Sequence, residues 1–318
     1  MVASTTVHRL GWIGTGRMGF ALAARLLREG CDVGVYNRTR SKAEPLGELG
    51  AEIVDSPARL ADRDIVFTMV SGSDDLAEVT MGPRGLFSGD GRVPDIVVDS
   101  STVSAELSQK VRDHAEKVGS ALLAAPVSGN PKVVKAGRLT FVVSGPQEAF
   151  DRTRPYLEML GSGVSYVGDA ELSRLVKICH NLFLGVVTQS LAEITVLAEK
   201  GGVRRHSFLE FLNNSVLGST FTRYKTPAFV NLDMTPTFTP ELLLKDFDLG
   251  LTAAEDLKVP LPIAASVREL VMSLVARGMT DVDFAALLEM QAEASGLELK
   301  PEGVEVSDGL KSASDSDG

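Results

Sequence analysis

The stretch that decides the fold runs Val7-His8-Arg9-Leu10-Gly11-Trp12-Ile13-Gly14-Thr15-Gly16-Arg17-Met18-Gly19. A short apolar run, Leu10 to Ile13, stops at Gly14-x-Gly16-x-x-Gly19, and a helical pattern opens behind it with Phe20, Ala21, Ala24, Leu26 and Leu27. This reads as strand, glycine turn and helix. Gly14 permits the tight turn, Gly16 lets backbone amides approach a pyrophosphate, and Gly19 lets the helix pack close on the strand. The helix start adds unpaired N–H groups and the positive end of its dipole. Gly14, Thr15, Gly16, Arg17, Met18 and Gly19 are therefore candidate cofactor-binding residues. The competing reading is a merely flexible turn; the motif's place at the first βα turn of the chain speaks against it.

Working outward, Asp32–Tyr36 reads as the second strand and ends at Asn37, Arg38 and Thr39. Their distance from Gly14 is the one at which a dinucleotide fold places its ribose-reading residue. An acid there would hold the 2′-hydroxyl of NAD and repel a 2′-phosphate. A neutral Asn37 followed by the Arg38 guanidinium favours NADP instead, with NAD still admissible. The alternative for Arg38 is a solvated surface charge. Further strands are expected at Ala51–Val54, Ile65–Met69, Asp95–Asp99, Ala121–Ala124, Leu139–Val143 and Val164–Val167, with helices near 74–80, 105–118 and 147–160 between them. Short apolar runs alternating with amphipathic segments indicate βα units and a doubly wound, mostly parallel sheet. Ligands in such sheets lie beyond the carboxyl ends of the strands. The loops at Met69-Val70-Ser71 and Ser100-Ser101-Thr102 are placed to line the same crevice as the glycines. Their hydroxyls serve equally well as turn and cap residues.

From about Leu172 strand alternation ceases. One long proline-free segment, apolar on more than one face, runs to Gly201-Gly202 and reads as a buried central helix. Further helices are expected near 207–213, 240–257, 262–276 and 283–293. The organisation is thus an α/β Rossmann-type domain over 1–168, an all-α domain over 169–295, and an acidic tail over 296–318 whose Ser, Asp, Glu and Gly content predicts disorder.

The 318 residues suit two domains, and 44% hydrophobic content is ample for a core. A net charge of −10 argues against nonspecific nucleic-acid binding. No stretch is expected to reach the length of a membrane span. Met1–Thr6 is too short and polar for a signal peptide. Cys31 and Cys179 form neither a disulfide framework nor a metal motif, so no metal site and a reduced cytoplasmic setting are expected.

The long helix carries Lys177, His180 and Asn181, and residues three and four apart share a face. Reducing a carbonyl with hydride needs a proton donor at its oxygen, and oxidising an alcohol needs a base there. A lysine in apolar surroundings can serve as both, because burial lowers its pKa. Asn181 can hold the lysine and the substrate oxygen in place. The helix alone leaves open a lysine that snorkels to the surface beside a core asparagine.

The Gly14–Gly19 turn, the Asp99-x-Ser101-Thr102 strand end, Ala125-Pro126-Val127-Ser128-Gly129, Lys177-x-x-x-Asn181 and Lys245-Asp246 occur in that order. In this the chain resembles the β-hydroxyacid dehydrogenase family, which includes 3-hydroxyisobutyrate dehydrogenase and tartronate semialdehyde reductase; the resemblance covers nearly everything from Arg9 to Glu293. It implies Lys177 as general acid/base, Asn181 as its orienting partner, and Ser128 and Gly129 as the loop holding the substrate carboxylate. It places Thr102 beside the nicotinamide ribose and Lys245 over the cofactor. The Asn37-Arg38-Thr39 run is similar to that of members using NADP. Departures fall in the substrate loop, where Asn130 replaces a usual second glycine, and at His180, where many members have an asparagine. Asn130 and His180 are therefore added as substrate-binding candidates. The expected activity is NAD(P)-dependent hydride transfer between nicotinamide C4 and a small carboxylate-bearing β-hydroxyacid or semialdehyde. An imine reductase of the same architecture and a non-catalytic dinucleotide sensor are the rivals; the presence of Lys177 speaks against the first, and that of Lys177 and Asn181 against the second. Family members pair through the helical domain, so a homodimer or homotetramer is expected.

Overall fold

The computed structural model describes residues 8–89 and 91–310. In chain order its elements are β1 (Leu10–Ile13), α1 (Arg17–Arg28), β2 (Val33–Tyr36), α2 (Glu44–Gly47), β3 (Glu52–Ile53), β4 (Ile65–Thr68), α3 (Ser73–Met81), β5 (Ile96–Asp99), α4 (Ala105–Lys117) and β6 (Ala121–Ala124). Then come β7 (Val127–Ser128), α5 (Pro131–Lys135), β8 (Thr140–Val143), α6 (Gln147–Leu160) and β9 (Gly163–Tyr166). The rest is helical: α7 (Leu172–Lys200), α8 (Arg205–Asn214), α9 (Thr220–Asn231), α10 (Pro240–Asp256), α11 (Pro262–Ala276) and α12 (Leu287–Ala294). The chain divides into two compact units after Lys177, inside α7. A boundary at 168 was expected; the helix start belongs to the first unit because Ser173 and Arg174 are bonded into it, as described below.

In the first unit six strands pair in parallel in the order β3-β2-β1-β4-β5-β6. Every residue of β1, β4 and β5 is buried, as central parallel strands require. Successive side chains feed two cores on opposite faces. Trp12, Phe67 and Val98 join the cluster packed by α1 and α6, whereas Ile13, Val66 and Val97 join the one completed by Val111 and Ala115 of α4. Trp12 and Phe67 stack across neighbouring strands, ring centroids 5.5 Å apart.

The strands expected at 139–143 and 164–167 leave this sheet. They form a second, three-stranded sheet, β7-β8-β9, antiparallel between β7 and β8 and parallel between β8 and β9. Pro126, which has no N–H to donate, lies between β6 and β7, where the chain passes from one sheet to the other.

The second unit has two cores, one around Phe247 and Phe284, the other around Leu191 and Phe229. Gly185 of α7 and Gly250 of α10 let these helices touch. An added Cβ would stand 2.5 Å from the Phe247 ring at the first and 2.3 Å from Leu182 Cδ1 at the second. Helix α9, which carries Pro227 inside it, is not among the helices expected from the sequence. Its start is fixed by a capping box in which Ser219 and Thr222 exchange side-chain and backbone hydrogen bonds. Helix α7 is long and apolar enough to cross a bilayer, contrary to the sequence expectation, and half of its most apolar window is buried inside the protein. It is not buried all round: Phe183 is 68% and Leu197 73% exposed.

The expected disorder of the tail does not hold for residues 296–310; residues 311–318 lie outside the described residues. Leu297, Leu299, Val304 and Val306 pack on the Leu191–Phe229 core, apolar area that an average over the polar tail hides. Asn231 Nδ2 donates to Val304 O at 2.8 Å, and the buried Arg205 donates to the carbonyls of Phe229, Val230 and Lys300. Glu302 accepts from Arg205 N, His206 N and the His206 ring. Burial pushes the Glu302 carboxyl up, but the His206 and Arg205 hydrogen bonds and the Arg205 charge together hold it below its ordinary value of 4.5. A carboxylate depressed in the folded state stabilises above its unfolded pKa and loses that contribution as pH falls through the folded one. Between neutral pH and values below 4.5, the melting temperature of the wild type should therefore fall more steeply than that of Glu302→Gln. Parallel melting curves for the two would remove Glu302 from the tail's anchorage.

Candidate active site

The glycine turn is built from three backbones in contact. Gly14 has φ +97°, and a Cβ there would lie 2.2 Å from Met69 O at the end of β4. A Cβ on Gly19 would lie 2.1 Å from Gly14 O. The Trp12 indole donates to that same carbonyl at 2.8 Å. Gly16 differs from both: its φ is −64°, and an added Cβ meets nothing within 4 Å. The protein's own packing thus requires Gly14 and Gly19 but not Gly16, where the described structure leaves open space. Thr15 is 4% exposed, yet among the described residues its Oγ1 has no hydrogen-bond partner. Among the described residues no side chain caps α1, which leaves its first N–H groups without a side-chain acceptor beside Arg17. A bare glycine, an orphan buried hydroxyl and an uncapped helix start fit the pyrophosphate of a dinucleotide. Met18 packs partly buried against the core below the turn.

At the end of β2, Asn37 Oδ1 accepts from Thr15 N at 2.8 Å and Asn37 Nδ2 donates to Thr39 O at 2.9 Å. Asn37 therefore clamps the glycine turn with its side chain. Arg38 is exposed and its Nη1 meets Asp75 Oδ1, in the first turn of α3, at 2.7 Å. At the end of β4, Val70 N donates to Ser101 Oγ at 2.9 Å, joining the 69–71 loop to the loop that carries the exposed Thr102. After β7, Gly129 takes φ +137°, a conformation open to glycine. Asn130 is buried and its Oδ1 accepts from Val133 N at 3.1 Å, capping α5 ahead of Pro131. That oxygen serves the fold as a helix cap, which leaves Nδ2 as the donor Asn130 can offer a substrate.

The sequence reading missed the first turn of α7. Arg174 is 5% exposed and its Nη2 lies 2.6 Å from Oδ2 of the fully buried Asp99. Lys177 follows one turn later and is half-buried. In the second unit, Asn181 Nδ2 donates to Asp246 Oδ2 at 2.6 Å, and Asn181 Oδ1 stands 3.0 Å from Nδ1 of the exposed His180. Asp246 and His180 thus hold both ends of the carboxamide and fix which way it faces. Lys245, next to Asp246 on α10, is exposed.

Residues 9–168 match the model of the NAD-binding domain of 6-phosphogluconate dehydrogenase. Residues 173–291 match that of the NAD-binding region of NADP-dependent 3-hydroxyisobutyrate dehydrogenase. The chain is 31% identical to glyoxylate/succinic semialdehyde reductase 2 of Arabidopsis thaliana, over 91% of itself and 81% of that protein. The chain belongs to the β-hydroxyacid dehydrogenase family. A second member, 2-(hydroxymethyl)glutarate dehydrogenase of Eubacterium barkeri, is 30% identical over 91% of this chain and 96% of its own. Among solved structures, 3-hydroxyisobutyrate dehydrogenase of Mycobacterium tuberculosis with L-serine superposes with a TM-score of 0.77 at 26% identity, covering 90% of this chain and 99% of the other. As a β-hydroxyacid dehydrogenase the protein is an NAD(P)-dependent oxidoreductase that transfers hydride to and from a hydroxyacid carbon.

Proposed function

We propose that the protein is an NADP-preferring dehydrogenase, or in reverse reductase, of a small carboxylate-bearing β-hydroxyacid and its semialdehyde, with Lys177 exchanging the proton. The observation that carries this reading is the lysine one turn from an asparagine whose amide is held by Asp246, on a helix whose start is bonded to the cofactor loops. The bound nicotinamide supplies or accepts a hydride at C4. Lys177 Nζ gives a proton to the carbonyl oxygen in reduction and takes it from the hydroxyl in oxidation. Asn181, oriented by Asp246, steadies that oxygen. Ser128 and Gly129 hold the carboxylate, Thr102 and Lys245 flank the cofactor, and His180 and Asn130 Nδ2 bear on which substrate fits. The test is turnover of NADPH and NADH against malonic semialdehyde, glyoxylate, succinic semialdehyde and a cyclic imine, and of NADP⁺ and NAD⁺ against 3-hydroxyisobutyrate. Reduction of an aldehyde acid is expected, and reduction of the imine alone would overturn the reading.

The NADP preference rests on Arg38 and on the lack of an acid at positions 37–39. A charge-assisted hydrogen bond is worth about 1.5–3 kcal/mol, and an exposed one sits at the low end. Arg38→Ala should therefore lower kcat/KM for NADPH about tenfold and leave NADH nearly unchanged. Because Asp75 competes for the guanidinium, Asp75→Asn should move the NADPH value the other way. Equal losses with both cofactors would refute the assignment.

Exposed Phe183 and Leu197 of α7, Phe211 of α8 and Val216 beyond it support a homodimer or homotetramer, since apolar groups in such number mark association surfaces. Light scattering at micromolar concentration should give a multiple of the 33.8 kDa chain mass, and a monomer would count against it. The two unpaired thiols, Cys31 and Cys179, suit a reducing cytoplasm.

A further inference from the structure

The turn of α7 that precedes Lys177 is tied to the cofactor and substrate loops by two successive residues. Ser173 Oγ donates to Ala124 O at 2.9 Å and accepts from Ser144 Oγ at 2.8 Å, which holds the helix to the end of β6, from which the chain runs on to Ser128. Arg174 spends its planar fork in three directions. Nη2 meets Asp99 Oδ2 at 2.6 Å, Nη1 donates to Ser101 O at 2.9 Å, and Nε meets Glu171 Oε2 at 2.9 Å. Asp99 Oδ1 in turn accepts from Thr68 Oγ1 at 2.7 Å and from Ser101 N at 3.1 Å. Arg112 closes the array from α4, its Nη2 2.6 Å from Glu171 Oε1. The strand ends that lead to Val70, Thr102 and Ser128 thus converge on the first turn of one helix.

We propose that Arg174 is a positioning residue for proton transfer: paired with Asp99, it sets where Lys177 stands relative to the loops that hold nicotinamide and substrate. This rests on the reading of Lys177 as the proton donor. Residues three apart on a helix are neighbours, so the lysine stands one residue-to-residue contact away from the pair. The array holds two guanidinium and two carboxylate groups, so its net charge is zero, and the role assigned to it is the placement of Lys177. Buried ion pairs are often replaceable by apolar side chains without loss of stability, and their best attested use is to fix register. Register is what this site needs, because a misplacement of about 1 Å can cost about 100-fold in rate. A lysine at 174 carries its three donors on one nitrogen and lacks the planar fork whose three nitrogens reach Asp99, Ser101 and Glu171 in fixed directions.

The test compares Arg174→Lys and the charge-free double variant Asp99→Asn/Arg174→Met with wild type and Lys177→Met. It measures NADPH affinity by fluorescence, kcat and KM for aldehyde reduction, and the isotope effect on kcat with NADPH deuterated at C4. Both Arg174 variants should bind NADPH within about threefold of wild type and keep KM, while kcat falls on the order of 30- to 100-fold and the isotope effect rises. Loss of affinity in step with kcat would make the pair merely structural and overturn the proposal, as would a folded Arg174→Lys with kcat within threefold of wild type. If Lys177→Met itself retains full turnover, the reading of the lysine fails, and the role of Arg174 toward it fails for that separate reason. Should the double variant not fold, Arg174→Lys decides alone.

Discussion

Gly19→Ala should give a strongly destabilised first unit, whereas Gly16→Ala should give a stably folded protein that has lost most of its grip on the dinucleotide. The reason is a difference in what each added methyl would meet. At position 19 it would stand 2.1 Å from Gly14 O. That carbonyl cannot retreat, because it is bonded to the Trp12 indole and Gly14 itself abuts Met69 O. Overpacking a core with one methylene typically costs 1–3 kcal/mol, and this contact is with a buried backbone carbonyl in the turn that follows β1, so a cost of at least ~3 kcal/mol is expected. At position 16 the methyl meets no protein atom and the backbone is in a region any residue adopts. It would instead stand where the pyrophosphate must approach. Thermal unfolding should show the first variant strongly destabilised and the second close to wild type. An NADPH fluorescence titration should show the second weakened more than about tenfold. Wild-type affinity in Gly16→Ala would mean that the phosphates sit elsewhere.

The other large effect is expected at Lys177. General acid–base catalysis contributes typically 10²- to 10⁴-fold, so Lys177→Met should lower kcat by about that factor. The side chain is half-buried on a long helix and methionine is a comparable helix former, so stability should change little. NADPH affinity should be retained, because the glycine turn and the strand-end loops are untouched. Steady-state kinetics beside the binding titration separate the two quantities. A loss of affinity equal to the loss of rate would assign Lys177 to cofactor binding and leave the proton unaccounted for.

The parallel sheet and the glycine turn were legible because local signals state them outright: continuous apolar runs for Leu10–Ile13, Ile65–Thr68 and Ile96–Asp99, and glycines at the spacing the turn needs. The role of Asn37 was only half legible. Its neutrality speaks to the cofactor, but its bond to Thr15 N is a pairing across 22 positions that no local pattern reveals. The same holds for Arg174 and Asp99, 75 positions apart. A charged residue in an apolar helix start was the one signal available there, and Lys177 drew the attention that Arg174 also merited. Asn130 was read as a ligand contact because the loop departs from its relatives; its place before Pro131 was the sign of a helix cap. The tail was misread because disorder was inferred from composition, whereas five apolar residues from Leu297 to Leu310 needed only an exposed core edge to settle on. Helix α9 holds Pro227 in its interior, a cost that the packing of Ala228 and Phe229 into the core overrides.

The central claim is that this chain passes a hydride to a small aldehyde acid while Lys177 delivers the proton. It is tested most directly in a single turnover with NADPH carrying deuterium at both C4 positions and succinic semialdehyde or glyoxylate, reading the mass of the hydroxyacid formed. The account expects one deuterium on the carbinol carbon with the wild type and almost none with Lys177→Met over the same interval, both proteins being saturated with cofactor. Deuterium-free product from the wild type, or undiminished label from the variant, would contradict it.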